Sequence, residues 1–489
     1  MAKPSKKLKA LQRELAEAKR LYEAAKSSQY HRIVSSSRSP DGVMDQARGK
    51  IRDWARYLDE NHDLAIGILD ELVNKVIGTG LVVEPMVRRT NGQLAEDVNA
   101  QIRRLWDQWN RRPETTGEIP GAEVDRLLCR TWLRDGEVLQ QHVEAGRIQH
   151  LSPVPYSIEL IEPDYLPFDL FGDNPRIVHG VEKDGWGRPV AYHLYKEHPG
   201  NLLFAAIGLN METVRVPRER IVHLKFTRRL RQTRGVSVLH GIVNRLDDIK
   251  DYEESERIAA RVAAAFTAYV KRNPDMIGES AASTDRTLEM NPGMIIDDLL
   301  PGEEIGTLGT ERPNTNLQQF RNSQLRAAAC GTGTSYSSIS RDYNGTYSAQ
   351  RQEMVEASPA YGRLRTYFIE AAKRPTYERF LAMAIAAGLV PIKRGIDRNT
   401  LADVDIRGPG LPWIDPKKEI EADGLAIEYG LKSRQQVIRE RGGNPAQVDA
   451  EREADTFERP AKPAQATDGQ GMGEEDSPDD TDEPAEAAA

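Results

Sequence analysis

GTGTSYSSISRDYNGTYSAQR, residues 331–351, is polar, rich in Gly, Ser and Tyr, and lies between two helical patterns. NLQQFRNSQLRAAAC (316–330) precedes it, and a run from Ser348 to about Ala372 follows. A long loop between helices is uncommon in a compact domain and is usually functional or disordered. This one carries Tyr336, Tyr343 and Tyr347 with Arg341, Asp342 and Asn344, a set suited to an ordered, contact-making loop. Within 331–346 the one base, Arg341, stands beside Asp342, so the net charge there is near zero. Gly331, Gly333 and Gly345 are expected to leave its backbone free to move.

Working toward the N-terminus, the longest helix is expected over about 236–270. Leu239, Ile242, Leu246 and Ile249 form an apolar stripe, and Ile258, Ala259, Val262, Ala263 and Phe266 continue it on an Ala-rich face. Its length and charged flank suit helices packed side by side in an oligomer, although an ordinary core helix carries the same pattern. Residues 136–226 change period. EVLQQHVEAG, SIELIEPDYL, RIVHGVEKDGWGRPVAYHLYK, METVRVP and RIVHLKF are short β-branched and aromatic runs separated by Gly, Pro and Asp. DGWG (184–187) marks a turn between two strands. Before them, helices are expected from about Asp45 to Val76 with a break at Asn61–Asp63, at about 94–110 with Ile102, Leu105, Trp106 and Trp109 facing inward, and at about 121–135. LVVEPMV (81–87) is a short strand candidate, and residues 5–26 have helical spacing. The class is α+β, mainly helical.

Toward the C-terminus, a helix is expected near 374–387. After the turn GPGLPW (408–413), Asp415 and Pro416 are suited to cap and start another. Ser433 and Gln436 make a capping box for the last ordered helix, to about Arg441. Residues 449–489 hold 14 acidic and 3 basic side chains and are expected to be disordered. Residues 1–38 are opposite in sign, with 10 Lys/Arg against 3 Glu, and read as a basic arm that either binds nucleic acid or is simply solvated. Residues 273–312 hold nine acids, among them Asp297, Asp298, Glu303 and Glu304, and two bases.

No run of 18 apolar residues and no signal-like N-terminus occurs, so a chain that stays in the cytoplasm where it is made, with no membrane partner, is expected. Cys129 and Cys330 read as buried free thiols. There is no phosphate-binding loop, nucleophile elbow or usual metal spacing among the nine His. No catalytic, cofactor or metal residue is assigned. Dispersed carboxylates converging into a metal-dependent DNA-processing site remain an alternative, as does a capsid scaffold or adaptor without a channel.

The loop also follows a Gly-x-Ser-Tyr-x-x-x-Ser-x-Asp-Tyr-x-x-x-Tyr-Ser-x-x-Arg pattern, carried here by Gly333, Ser335, Tyr336, Ser340, Asp342, Tyr343, Tyr347, Ser348 and Arg351. It closely resembles a signature of tailed-phage portal proteins of the lambda family. So do HDLAIGILDELVNKVIGTGLVVEP (62–85), DGEVL (135–139), IELIEPDYL (158–166), GVEKDGWGRPVAYHLY (180–195), IVHLKF (221–226) with QTRGVSVL (232–239), NPGMIIDDLLPGEEI (291–305) and WIDPKKEIEA (413–422), in family order. One departure is that Leu230 and Arg231 stand where a proline is expected next to the glutamine.

The resemblance implies a subunit of a ring of about twelve copies at a capsid vertex. It would be assembled in the host cytoplasm and carried in the virion. DNA would be packaged and ejected through the central channel. The implied partners are further copies of the chain, the terminase large subunit, the major capsid protein, a head-completion or adaptor protein, and double-stranded DNA held without sequence preference. The implied parts are a basic arm (1–44), a wing (45–234, completed within 347–410), stem helices (235–266 and 313–330), a clip (267–312) with Asp297, Asp298, Glu303 and Glu304, and crown helices (411–448). A tunnel loop (331–346) would carry Tyr336, Ser337, Ser338, Arg341, Asp342, Tyr343, Asn344 and Gly345. A channel must not hold DNA tightly. Each cation that neutralises a phosphate adds affinity, so a polar loop and an acidic clip suit passage.

Overall fold

A computed structural model describes residues 37–47, 49–144, 148–201, 212–264, 268–272, 303–307, 317–408, 416–441 and 445–455, with a few single positions besides. The expected helix at 5–26 and the clip residues Asp297 and Asp298 lie outside the described residues. The chain divides into two compact units, Met1–Leu411 and Pro412–Ala489.

The first unit opens with α1 (Pro40–Ala47), α2 (Lys50–Asn61) and α3 (Asp63–Val76). The expected break falls at His62, whose Nδ1 accepts from Leu64 N at 3.3 Å and whose Nε2 sits 2.9 Å from Leu246 O. It thus caps α3 and ties it to the helix that begins at Val243. Strand β1 (Val82–Pro85) precedes α4 (Glu96–Trp109) and α5 (Gly121–Asp135). The inward stripe on α4 is buried as expected at Ile102, Trp106 and Trp109. Trp106 meets Trp109 at 4.9 Å and Phe380 edge-on at 5.1 Å, and Trp109 stacks on Tyr156 at 5.4 Å. Each such pair adds about 0.5–1.5 kcal/mol beyond its buried area.

The β-rich module contains two sheets. Strands β2 (Glu137–Glu144), β3 (Tyr156–Ile161) and β9 (Ile221–Lys225) pair antiparallel in the order β3-β2-β9. Strands β4 (Gly172–Asp173), β5 (Arg176–Val178), β6 (Val181–Lys183), β7 (Pro189–Tyr195) and β8 (Thr213–Pro217) follow one another as a meander. A small second core of Leu139, Ile161, Leu166, Val181, Tyr192, Leu194 and Ile221 joins the sheets. The expected DGWG turn connects β6 to β7, with Asp184 Oδ1 accepting from the amides of Trp186 (2.9 Å) and Arg188 (2.7 Å).

The helix expected from 236 is shorter. A 3-10 turn, Val238–Gly241, is capped by Ser237 and precedes α6 (Val243–Ala264). The stripe Leu239, Ile242, Leu246 and Ile249 is buried, whereas Ile258 is exposed. Strand β10 (Ala268–Arg272) pairs antiparallel with β11 (Glu303–Thr307), which sets Lys271 opposite Glu304 and Arg272 opposite Glu303. Glu303 and Glu304, expected in the clip, thus stand in backbone register with two basic positions from just outside the acidic stretch.

Next come α7 (Leu317–Thr332), the short α8 (Tyr336–Ser340) and α9 (Tyr347–Phe368). The two helices expected at 348–372 and 374–387 are joined: one π-helical turn, Ile369–Lys373, carries α9 into α10 (Arg374–Ala386). Arg374 and Pro375 fall where a helix start was expected, but the π turn runs straight into them. Strand β12 (Val404–Arg407) pairs with β1. Cys129 is buried, and burial pushes its thiol up. Cys330 is exposed, contrary to expectation, because it lies on the outer side of α7 while Ala328 and Ala329 face the core.

The second unit holds α11 (Pro416–Glu428), α12 (Arg434–Glu440) and α13 (Pro445–Ala454). Ser433 Oγ caps α12 by accepting from Gln436 N at 3.1 Å, as the capping box requires. The acidic tail was expected to be disordered from residue 449, yet α13 runs to Ala454. Arg434 holds Asp449 at 2.6 Å, a tie that composition does not reveal. Deleting residues 465–489 is expected to leave the melting temperature unchanged, whereas deletion from Pro445 lowers it. Calorimetry of the two truncations checks this.

Candidate functional site

Three of the quoted motifs, separate in sequence, meet at one buried point. Glu137 of DGEVL, Arg234 of QTRGVSVL and the carbonyls of IELIEPDYL form it. Arg234 is fully buried; its Nε donates to Glu137 Oε1 at 2.7 Å, and its other nitrogens donate to Leu166 O (2.9 Å) and Pro163 O (3.1 Å). Its guanidinium lies 3.9 Å from the Phe168 ring centroid. Glu137 Oε2 accepts from Gly235 N and faces His223 Nε2, both at 2.9 Å. Burial alone would raise the Glu137 carboxyl. The Arg234 charge, His223 and the Gly235 amide outweigh it and hold the group well below the usual carboxylate range. Burial depresses His223. Glycine is required at the crossing: a Cβ on Gly235 would lie 1.9 Å from Gly136 O, a backbone atom that cannot move aside. The node locks β2, β9 and the approach to α6 together.

The segment 331–346 is not the continuous loop expected. It is a chain of caps around α8. Gly333 ends α7 at φ 74°, its amide donating to Ala329 O at 2.8 Å. Gly331 is still inside α7, where a Cβ would stand 2.8 Å from Ile242 Cγ2; it serves close packing, not the backbone freedom expected of it. Ser335 Oγ caps α8 by accepting from Ser338 N at 3.3 Å, and Arg341 ends it at φ 56°. Ser340 Oγ accepts from Asp342 N at 3.2 Å, and Asp342 Oδ1 accepts from Asn344 N at 3.2 Å. Thr346 starts α9 by accepting from Ala349 N at 3.3 Å.

Several predicted site residues are thereby brought together. Tyr336 is half-buried against the core, lies 5.1 Å under Arg326, and its hydroxyl is 3.4 Å from Asp342 Oδ2. Ser337 is held by Glu353 of α9, its amide donating at 2.9 Å, and Ser338 is half-buried. Arg341, Tyr343, Asn344 and Gly345 are exposed. Glu353 and Tyr361, which anchor the segment, were not singled out in the sequence. Ser335 and Thr346, each opening a helical run, were the available cap signals.

Among the described residues, one set of three potential metal ligands lies together: Glu162, Asp164 and His198. Arg52 and Arg56 already hold the two Asp164 oxygens, at 3.0 and 2.6 Å. Guanidinium groups in these places leave the set poorly suited to a divalent cation.

Comparison with known proteins bears on the same segments. The sequence model of the family described as "Phage portal protein, lambda family" matches residues 26–365. The chain belongs to this family. A "Probable portal protein" of Halomonas phage phiHAP-1 is 25% identical over 434 residues, 85% of this chain and 81% of that one. Portal protein B of Escherichia phage lambda is 26% identical over 262 residues, covering 47% of this chain and 49% of the lambda protein. Among solved structures, a chain of the virion of the native gene transfer agent particle aligns with a TM-score of 0.44 at 13% identity, over 81% of this chain and 94% of that one.

Within this lambda-family portal protein, the departure at Leu230 and Arg231 has a backbone explanation. Arg231 has φ 60° and Leu230 is 92% exposed in the turn. A proline at 231, held near −65°, could not adopt that conformation. Gln232 closes the turn instead, its Oε1 accepting from Arg228 N at 3.1 Å and its Nε2 donating to Arg234 O at 2.8 Å.

Proposed function

We propose that this lambda-family portal protein forms a closed ring at a capsid vertex, through which double-stranded DNA is packaged and later ejected. The observation that carries the reading is the family match across residues 26–365, which includes the segment from Gly331 to Arg351. Exposed Ile258 on the Ala-rich half of α6 supports side-by-side packing of copies. The proposed role is structural, with no catalytic step. The partners are further copies of the chain, the terminase large subunit, the major capsid protein, a head-completion protein, and DNA held without sequence preference. In this scheme α6 and α7 are stem helices, the hairpin β10–β11 is the base of the clip, α11–α13 belong to the crown, and residues 331–346 border the channel. The chain resides in the virion.

Imaging and mass measurement of the purified protein test the reading. The expected result is a ring with a central hole and about twelve copies. A stable monomer that forms no ring with other capsid parts overturns it, and particles without a hole favour an adaptor. Metal-dependent DNA cleavage by the purified protein would favour the enzyme alternative.

The clip makes a second prediction. Reversing Asp297 and Asp298 is expected to block packaging while rings stay intact, because these acids would meet the motor or the channel mouth. Reversing Glu303 and Glu304 sets like charges across from Arg272 and Lys271 and weakens the hairpin itself. Packaging assays on assembled proheads, with ring integrity measured in parallel, separate the two. Normal packaging by the Asp297/Asp298 variant removes those two acids from the mechanism.

A further inference from the structure

The exposed tip of the 331–346 segment and its base are held differently. At the base, one carboxylate reaches across from α9. Glu353 Oε1 accepts from Ser335 Oγ at 2.8 Å and from Ser337 N at 2.9 Å, and its second oxygen accepts from Ser337 Oγ. The first amides of a helix have no partner within it. Here Glu353 takes that of residue 337, and Ser335 takes that of 338. Beside it, the Tyr361 hydroxyl accepts from Ser335 N at 3.1 Å and donates to Glu71 Oε1 of α3 at 3.3 Å. Thr332, Thr334, Ser335 and Ile339 are buried.

Beyond Ser340 the ties are local. Asp342 and Ser340 bond to amides two residues away, and Gln350 Nε2 donates to the carbonyls of Tyr343 and Gly345. Arg341, Tyr343, Asn344 and Gly345 are exposed.

We propose that Glu353 is a positioning residue: its carboxylate clamps residues 333–340 to α9, so that only residues 341–346 are left to move in the channel. The clamp stands on the geometry of this chain; its consequence for DNA rests on the reading of 331–346 as channel-bordering. Hydrogen bonds to a charged group are among the stronger ones, and here several converge on one carboxylate. Losing Glu353 removes these bonds from the start of α8 and leaves Ile339 in the core and the Tyr361 tie to Ser335 N in place.

The test is hydrogen exchange on assembled rings of the parent, Glu353→Ala, Glu353→Gln and Ser337→Ala. Exchange at residues 335–340 is expected to quicken by about tenfold or more in Glu353→Ala. Ser337→Ala should give a smaller increase. Glu353→Gln, which keeps an acceptor oxygen, should recover part of the protection. Peptides from α7 and from the second half of α9 should exchange as in the parent. Unchanged exchange at 335–340 in Glu353→Ala rings overturns the clamp. If that variant does not assemble, unchanged exchange in Ser337→Ala overturns it instead. Packaging by the same rings tests the consequence separately. A loosened α8 with normal packaging leaves the clamp standing and removes the channel assignment.

Discussion

Glu137→Ala lowers the stability of the β-rich module by about 3–5 kcal/mol, the range expected when one partner of a buried ion pair is removed. The loss exceeds that of a surface pair because Arg234 is left fully buried with its charge uncompensated, and the Gly235 amide and His223 lose their acceptor as well. The measurement is the first urea-unfolding transition of the purified protein. A loss under about 1 kcal/mol, typical of an exposed pair, would sink the account. Arg234→Ala in the Glu137→Ala background should cost much less than alone, since the pair acts as a unit.

The node also sets an acid limit. Glu137 is held below its ordinary value of about 4.3, so its contribution is complete above that pH and fades as pH falls toward the folded value. His223 is depressed by burial, so the folded state favours its neutral form, and stability also falls as pH drops below about 6.5. Both effects have the same sign. Glu137→Gln should flatten the acid limb of the stability curve below about pH 4.3.

Legibility of the sequence followed the range over which the forces act. Periodicity located α4 and α5 and placed Ile102, Trp106 and Trp109 inside, because one helix face reports its own burial. The DGWG turn and the Ser433 cap were readable for the same local reason. Long-range matters were not. That DGEVL, IELIEPDYL and QTRGVSVL converge on Arg234 depends on the β2–β9 register and on Gly136 meeting Gly235, which no single window contains. The π turn at Ile369–Lys373 joins what the sequence showed as a run ending near Ala372 and a separate helix near 374–387. Residues 331–346 looked like loop because Gly, Ser and Thr dominate. Those Ser and Thr are caps, and their partner Glu353 lies in the next helix.

With residues 331–346 bordering the channel as proposed, Gly345→Phe is expected to leave rings intact and to cut DNA packaging or retention by roughly tenfold or more, since the added bulk would be repeated around the pore. The fold tolerates the change. A Cβ at 345 has as its nearest neighbours only Gln350 Cγ at 3.7 Å and Nε2 at 3.9 Å, both ordinary contacts with a flexible side chain, and the residue is exposed. Any loss must then arise from what the segment faces. Arg341→Ala and Asn344→Ala remove exposed polar groups without adding volume, so rings should form and packaging should change far less. The contrast separates steric passage from polar contact, because a segment that acts through weak contacts to phosphates would respond to Arg341→Ala more than to added bulk. Proheads assembled with each variant and assayed for packaged DNA give the answer. Parent-like packaging by Gly345→Phe rings would mean that residues 341–346 point away from the DNA path and act only as a spacer between α8 and α9.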